Sequence, residues 1–258
     1  MVISFDQCIA RPDIGDKKYL LTGHLEAVAK GMGDPTGDPP SRLCFLAGLM
    51  HDIGKARSKW QQWIRNVEVG KVKGKSVNHS PLGSALLAFF AYHLLPKWEL
   101  DRRILRSLKN HLLLLSRDIY DHHGKLGDLE EVPPWENTLM KDDLLECDLV
   151  GITNYIKSFF PEGEWNAEDI ILWLEEAPII WRKLYYDSQR ASDQFLRSQS
   201  SLYHGAANIC FINRQTTSKF ILADRYHAAG IECYKTDVIE PKQSLEQFGL
   251  YCQSRAKE

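Results

Sequence analysis

Up to about Ser198, apolar positions recur three and four residues apart along most of the chain, the period of helices with one buried stripe. Leu20 to Met32 has this spacing and gives way to GDPTGDPPS, a loop of Gly, Pro and Asp. The next helix is expected to begin at Ser41 as its N-cap, to carry Leu43, Leu46, Ala47 and Met50 on one apolar face, and to end at His51-Asp52. Gly54 lets the backbone turn, ARSKWQQWIR resumes the helical pattern, and VEVGKVKGKSVNHS reads as a basic loop or short hairpin. Ser80-Pro81 looks like an N-cap followed by Pro at the first helical position. It opens an apolar helix from Leu82 to Leu95 and leaves His79 just before it. Another helix is expected from Glu99 to Leu115 with His111 near its end, and then a loop, DHHGKLGDLEEVPPW, holding His122 and His123. Periodic segments from Leu139 to Phe160 and from Ala167 to Arg197 complete a mainly α bundle.

The texture changes after Ser198. NICFIN and ECYKTDVIE look like strands, with a helix from Thr217 to Ala229 between them, so a small βαβ-like C-terminal tail is expected. The expected organisation is one helical domain over residues 1–198 and an extension over 199–258 to which the sequence gives no role.

Composition narrows the class. A chain of 258 residues with 44% hydrophobic and 26% charged residues buries a substantial core and folds without staples. The net charge of −2 argues against a uniformly basic surface, so a grip on nucleic acid has to come from a local patch or a metal site. The six cysteines lie far apart with no CxxC pair, the pattern of reduced packing residues. The longest apolar run, Leu82 to Leu95, is too short for a bilayer span, and MVISFDQC has no signal pattern, so a cytoplasmic location is expected. No GxxxxGK[ST] occurs, which excludes a P-loop motor within the chain.

The chemistry is in the histidines. Cleaving a phosphodiester near neutral pH needs an activated water and positive charge on the phosphate oxygens, and divalent metals supply both. Imidazole and carboxylate donors suit Mn, Fe, Ni, Co or Zn, and one carboxylate can bridge two ions. His51-Asp52 can give a nitrogen ligand and that bridging oxygen. Further ligands are available from His24, His79, His111, His122 and His123, with a late aspartate to close the shell. By itself a His-Asp pair is most often a surface helix end, and it gains weight only from LAGLMHDIGKARSKWQQW, in which Lys55 follows within reach of a phosphate.

These residues resemble the HD-domain superfamily, and specifically the CRISPR-associated HD nucleases of type I interference systems. HDIGKARSKWQQW resembles the family's HDxGK segment, GHLEAVA its first-helix motif with His24, NHSPLGSALLAFF its HxxxGA-like motif with His79, and DHHGKLGD its paired-histidine motif with His122 and His123. The likeness spans about residues 19–198. In the family the paired histidines end the helix that follows HxxxGA. Here ILRSLKNHLLLL places the single His111 there, so either His111 or His122 and His123 can serve. The family's final aspartate lies in an ADxxAS-like helix, for which YYDSQRASDQFLRS offers Asp187 and Asp193, with Asp193 the better match.

The resemblance implies a helical HD bundle that cuts single-stranded DNA in antiviral defence, with two divalent ions. His24, His51, Asp52 and Asp193 would hold one ion, and Asp52, His79 and the later histidines the other. Asp52 and Lys55 would act at the scissile phosphate, and Mg is also admissible as the metal. It also implies work alongside a superfamily 2 helicase, fused or separate, and a guide-RNA surveillance complex. The rivals are an HD phosphohydrolase acting on nucleotides or cyclic nucleotides, and a non-catalytic binding module with a structural metal. His93, His204 and His227 read as ordinary histidines, Trp60 and Trp63 as core, and Lys71, Lys73 and Lys75 as a solvated loop.

Overall fold

A computed structural model describes residues 2–12, 18–68, 78–123, 129–135, 137–198 and 202–228, without the side chains of 137–139, 191–198 and 202–214. Among the described residues the chain forms nine α-helices and no β-sheet: α1 Leu21–Met32, α2 Pro39–Met50, α3 Ser58–Glu68, α4 Ser80–Leu94, α5 Arg102–Asp121, α6 Asn137–Leu145, α7 Leu149–Phe159, α8 Ala167–Ser198 and α9 Leu202–Ala228. The mainly α architecture is the one the apolar periodicity predicts.

α4 is the axis of the bundle. Its sequence SPLGSALLAFFAYHL is apolar nearly all round, the composition of a helix enclosed by others. It packs on α2, α5, α6 and α8, while α1 lies against α2 and α9. Phe45, Phe89, Phe90 and Phe160 are fully buried in the resulting core.

Local chemistry explains where the elements begin and end, and in several places it differs from expectation. α2 starts earlier than Ser41: the Asp38 side chain caps it by accepting from the Ser41 N–H, and Pro39 and Pro40 need no partners in the first turn. The cap of α4 is likewise one residue earlier, at His79, with Pro81 inside the first turn. The segment from Leu139 to Phe160 is two helices, because Asp148 accepts from the Gly151 N–H and starts α7 afresh. α5 does not stop near Leu115. Leu108, Leu112, Leu115, Ser116 and Ile119 continue one buried stripe to Asp121, so His122 is the C-cap of a helix rather than part of a loop.

The largest departure is in the tail. Asn208 to Asn213, expected as a strand, lies within α9, while the second expected strand, residues 232–240, lies outside the described residues. Residue 198 ends α8, and α9 packs against α1, α5 and α8.

Candidate metal centre

Four helix ends meet where α1, α2, α4 and α5 cross. Two glycines allow the approach. A Cβ on Gly83 in α4 would lie 2.4 Å from the Met50 carbonyl oxygen and 2.8 Å from that of His51, so α4 can lie against the end of α2 only with hydrogen at this position. A Cβ on Gly54 would fall 2.1 Å from the His79 carbonyl oxygen. Gly54 therefore serves close packing inside a short 3-10 turn, Ile53–Ala56, as much as the change of direction expected of it. Arg57, itself buried, adds a fastening by donating to the carbonyls of Gly54 and Asn78 and pairing with Asp143 of α6. Gln61, also fully buried, accepts from the Ile9 N–H and donates to the carbonyls of Ile9 and Lys55.

At the crossing Asp52 is 1% exposed and is surrounded by imidazoles. Its Oδ2 lies 3.0 Å from His24 Nε2 and 3.4 Å from His51 Nε2. Its Oδ1 lies 2.9 Å from His79 Nε2, 3.4 Å from His122 Nε2 and 4.0 Å from His123 Nε2. Two groups result, each able to hold a metal ion. One is His24, His51, Asp52 and Asp224; the other is Asp52, His79, His122 and His123. Asp52 belongs to both, one oxygen facing each.

Spacing in the first group fits a cation. His24 Nε2 and His51 Nε2 are 3.2 Å apart, and they stand 3.4 and 3.6 Å from Asp224 Oδ1. Four ligands at about 2.1 Å from a common centre in a tetrahedron would be about 3.4 Å from one another. In the second group His123 Nε2 is 2.8 Å from His79 Nε2. Such nitrogens repel when both present lone pairs, and a shared cation removes the conflict. His122 Nε2 and Asp52 Oδ1 are both buried and 3.4 Å apart, and His79 Nε2 lies 2.9 Å from the same oxygen, so three ligand atoms converge away from water. The donor set therefore fits divalent metal.

Tautomers are set from behind. His51 Nδ1 lies 2.7 Å from the Gly48 carbonyl and His122 Nδ1 lies 2.6 Å from that of Ile119, both three residues back on their own helix. Each carbonyl calls for N–H on Nδ1 and leaves Nε2 to face the centre.

Electrostatics differ between the groups. Burial disfavours a charged His51, but the carboxylates of Asp52 and Asp224 outweigh it and raise its pKa to about 9. Burial also opposes ionisation of Asp52, yet Lys55 and His51 hold its carboxyl well below the usual range. Asp224 is held low against burial by hydrogen bonds with His24 and His51. In the second group burial lowers His79, and burial with His122 and His79 nearby lowers His123 to about 4, so these imidazoles are neutral. Without an ion, the carboxylates are balanced by the Lys55 ammonium, which is ion-paired to Asp52 Oδ2, and by a proton on His51.

Of the residues expected from sequence, His24, His51, Asp52, His79, His122 and His123 converge, and Lys55 reaches Asp52. His111 is a correction. It lies on α5 three turns before His122, about 16 Å along the axis. It is in neither group, its Nε2 is buried without a partner, and burial lowers its pKa to about 4. Asp187 lines a separate cavity of about 430 Å³ with His93, Lys109 and Lys183. The side chain of Asp193 lies outside the described residues. Among the described residues, the late aspartate that joins the centre is Asp224, from α9.

Sequence reasoning missed Asp224 and His227 because both lie beyond the span of the resemblance, in a tail to which the sequence gives no role. The signal was present: Phe220, Ala223, Asp224 and His227 fall on one helical face. The Phe220 ring, 1% exposed, sits 5.5 Å from that of His51 and 5.6 Å from that of His122, and so seats the face on the centre. His227 Nδ1 lies 2.8 Å from His24 Nδ1. Trp60 is buried as expected, 6.1 Å from the His79 ring, with Lys55 Nζ 5.5 Å over it.

Beside the first group opens a cleft of about 630 Å³, whose walls include Arg11, Lys18, Tyr19, Lys55, Asp224 and His227. The Arg11 guanidinium stacks 3.7 Å from the Tyr19 ring centroid and donates to the Ala228 carbonyl. The lysines at 71, 73 and 75 lie outside the described residues. Cys8, Cys44 and Cys147 are free thiols, and burial pushes Cys8 up to about 12, which makes it a packing residue. Among the described residues no helix is long and apolar enough to cross a membrane. The chain matches no protein-family model, no curated protein and no solved structure.

Proposed function

We propose that this chain is a metal-dependent phosphohydrolase of HD type that cleaves phosphodiester bonds in single-stranded DNA during CRISPR interference. The observation that carries the chemistry is Asp52, a buried carboxylate with each oxygen turned to its own set of imidazoles. A pair of divalent ions bridged by one carboxylate would lower the pKa of a water and neutralise charge building on the phosphate. Imidazole-rich donors suit Mn, Fe, Co, Ni or Zn, with Mg a poorer match.

The chain's own groups then have defined tasks. His24, His51 and Asp224 would hold one ion with Asp52, and His79, His122 and His123 would hold the other with it. Lys55, paired with Asp52 at the wall of the cleft, is placed to offer its ammonium to a phosphate oxygen. Arg11 and Lys18 line the same cleft, a cationic approach suited to a polyanion. DNA as the substrate and the working partners, a superfamily 2 helicase and a guide-RNA surveillance complex, follow from the four motifs described above.

The test is incubation of the purified chain with Mn²⁺ or Ni²⁺ and either circular single-stranded DNA or a panel of nucleotides and cyclic nucleotides. Nicking of the circle, lost in Asp52→Ala, is expected. Turnover of nucleotides alone would move the substrate to that class, and equal DNA turnover by Asp52→Ala and the parent would remove the catalytic reading.

A further inference from the structure

His24 faces two ways. Its Nε2 lies in the first group, 3.0 Å from Asp52 Oδ2 and 3.4 Å from Asp224 Oδ1, while its Nδ1 faces the Nδ1 of His227 at 2.8 Å. The two rings are 5.0 Å apart at 39°, and His24 is 5% exposed, so the contact is made largely away from water. His227 lies on α9 three residues after Asp224, on the same helical face. The Nδ1 atoms of His51 and His122 meet carbonyls of their own helices, whereas that of His24 meets a side chain from α9.

An imidazole has one proton to place. When a cation takes the lone pair on His24 Nε2, the proton must be on Nδ1 and needs an acceptor there, since a buried N–H without one is costly. His227 Nδ1 is that acceptor, with its own proton then on Nε2. We infer that His227 is a positioning residue: by accepting from His24 Nδ1–H it fixes the ring orientation and tautomer with which His24 holds the first ion. This rests on the metal-dependent reading above, but it concerns a residue outside both groups of ligands and makes a separate claim. A ligating histidine without its outer partner characteristically loses about 10–100-fold in metal affinity. The effect falls on the first group, because His24, the ring that His227 meets, belongs to it.

The experiment is calorimetric titration of the full chain with Mn²⁺, comparing the parent with His227→Leu and His227→Asn. Leu removes the acceptor, whereas the Asn side-chain oxygen stands close to where Nδ1 was. The expected result is two binding events in the parent, one of them weakened about tenfold or more in His227→Leu with the other unchanged, and recovery toward the parent in His227→Asn. Unchanged Mn²⁺ binding in His227→Leu would overturn the inference, and so would an Asn variant as weak as the Leu variant. A Leu variant that also lost thermal stability or the second event would overturn it as well, by showing general disruption. A parent chain that took up no Mn²⁺ would overturn this inference together with the functional reading, whereas unchanged binding in the variant leaves that reading standing.

Discussion

Nε2 of His122 and Oδ1 of Asp52 stand 3.4 Å apart, both buried, with His79 Nε2 2.9 Å from the same oxygen. The imidazoles of His79 and His123 are neutral, so their lone pairs are open to a cation.

Because Asp52 serves both groups, Asp52→Asn should impair uptake of both ions, while Asp224→Asn or His122→Ala should impair one. Metal content after dialysis against Mn²⁺, read by atomic absorption, distinguishes the cases. Phosphodiester cleavage by Asp52→Asn should fall by about a thousandfold, on the order of 4 kcal/mol of barrier. An Asp52→Asn protein that retained two ions would contradict the bridging role.

Gly83→Ala should destabilise the fold by about 1–3 kcal/mol, since the new methyl meets the carbonyl oxygens of Met50 and His51 rather than a side chain that can swing aside. The shift of α4 it forces should also displace His79. Chemical denaturation gives the first effect and Mn²⁺ affinity the second. A substitution silent in both would mean that the helices are not so closely apposed.

Arg57 and Asp143 form a buried pair, at 5% and 18% side-chain exposure. Arg57→Ala leaves the carboxylate alone and also frees the carbonyls of Gly54 and Asn78, which flank His79 in the fold. A loss of about 3–5 kcal/mol is expected. Arg57→Lys should recover little of it, because one ammonium cannot reproduce the fork. Urea melts of the two variants test this.

His111 sets an acid limit. Its folded pKa, about 4, lies below the ordinary 6.5, so between those values the unfolded chain binds a proton that the folded chain refuses. Stability contributed by a neutral His111 is thus complete above pH 6.5 and falls as pH drops toward 4, by on the order of 2–3 kcal/mol in all. His111→Leu should flatten that part of the stability profile and be neutral or stabilising at pH 7, since it removes an unpartnered buried nitrogen. Identical acid profiles for variant and parent would show that His111 is solvated.

Much of the centre was legible because its ligands sit at helix ends marked by short-range signals. His51-Asp52 follows an apolar stripe, His79 precedes Ser-Pro, and both sit beside glycines. His111 misled because a helix ending near Leu115 would have put it at a terminus. Ser116 and Ile119 extend the buried stripe, and so carry the terminus to His122. Asp224 lay on an expected helix but beyond the span of the resemblance, while NICFIN is a short run of Ile, Cys and Phe that suits a strand or a buried helix equally, and only length decides between them. The cap of α2 is Asp38 rather than Ser41 because the Asp38 carboxylate accepts from the Ser41 N–H and the two prolines between them fit the first turn.

The two groups draw on different stretches of chain. Everything around Asp52 Oδ1 comes from residues 52–123, whereas the opposite side needs His24 together with Asp224, brought in by α9. Peeling α9 away would therefore strip Asp224 from one group, and it would also lift Phe220 off the rings of both His51 and His122. A chain shortened at residue 198 would keep His79, His122 and His123 around Asp52 yet lose the Asp224 carboxylate from the group on the other side.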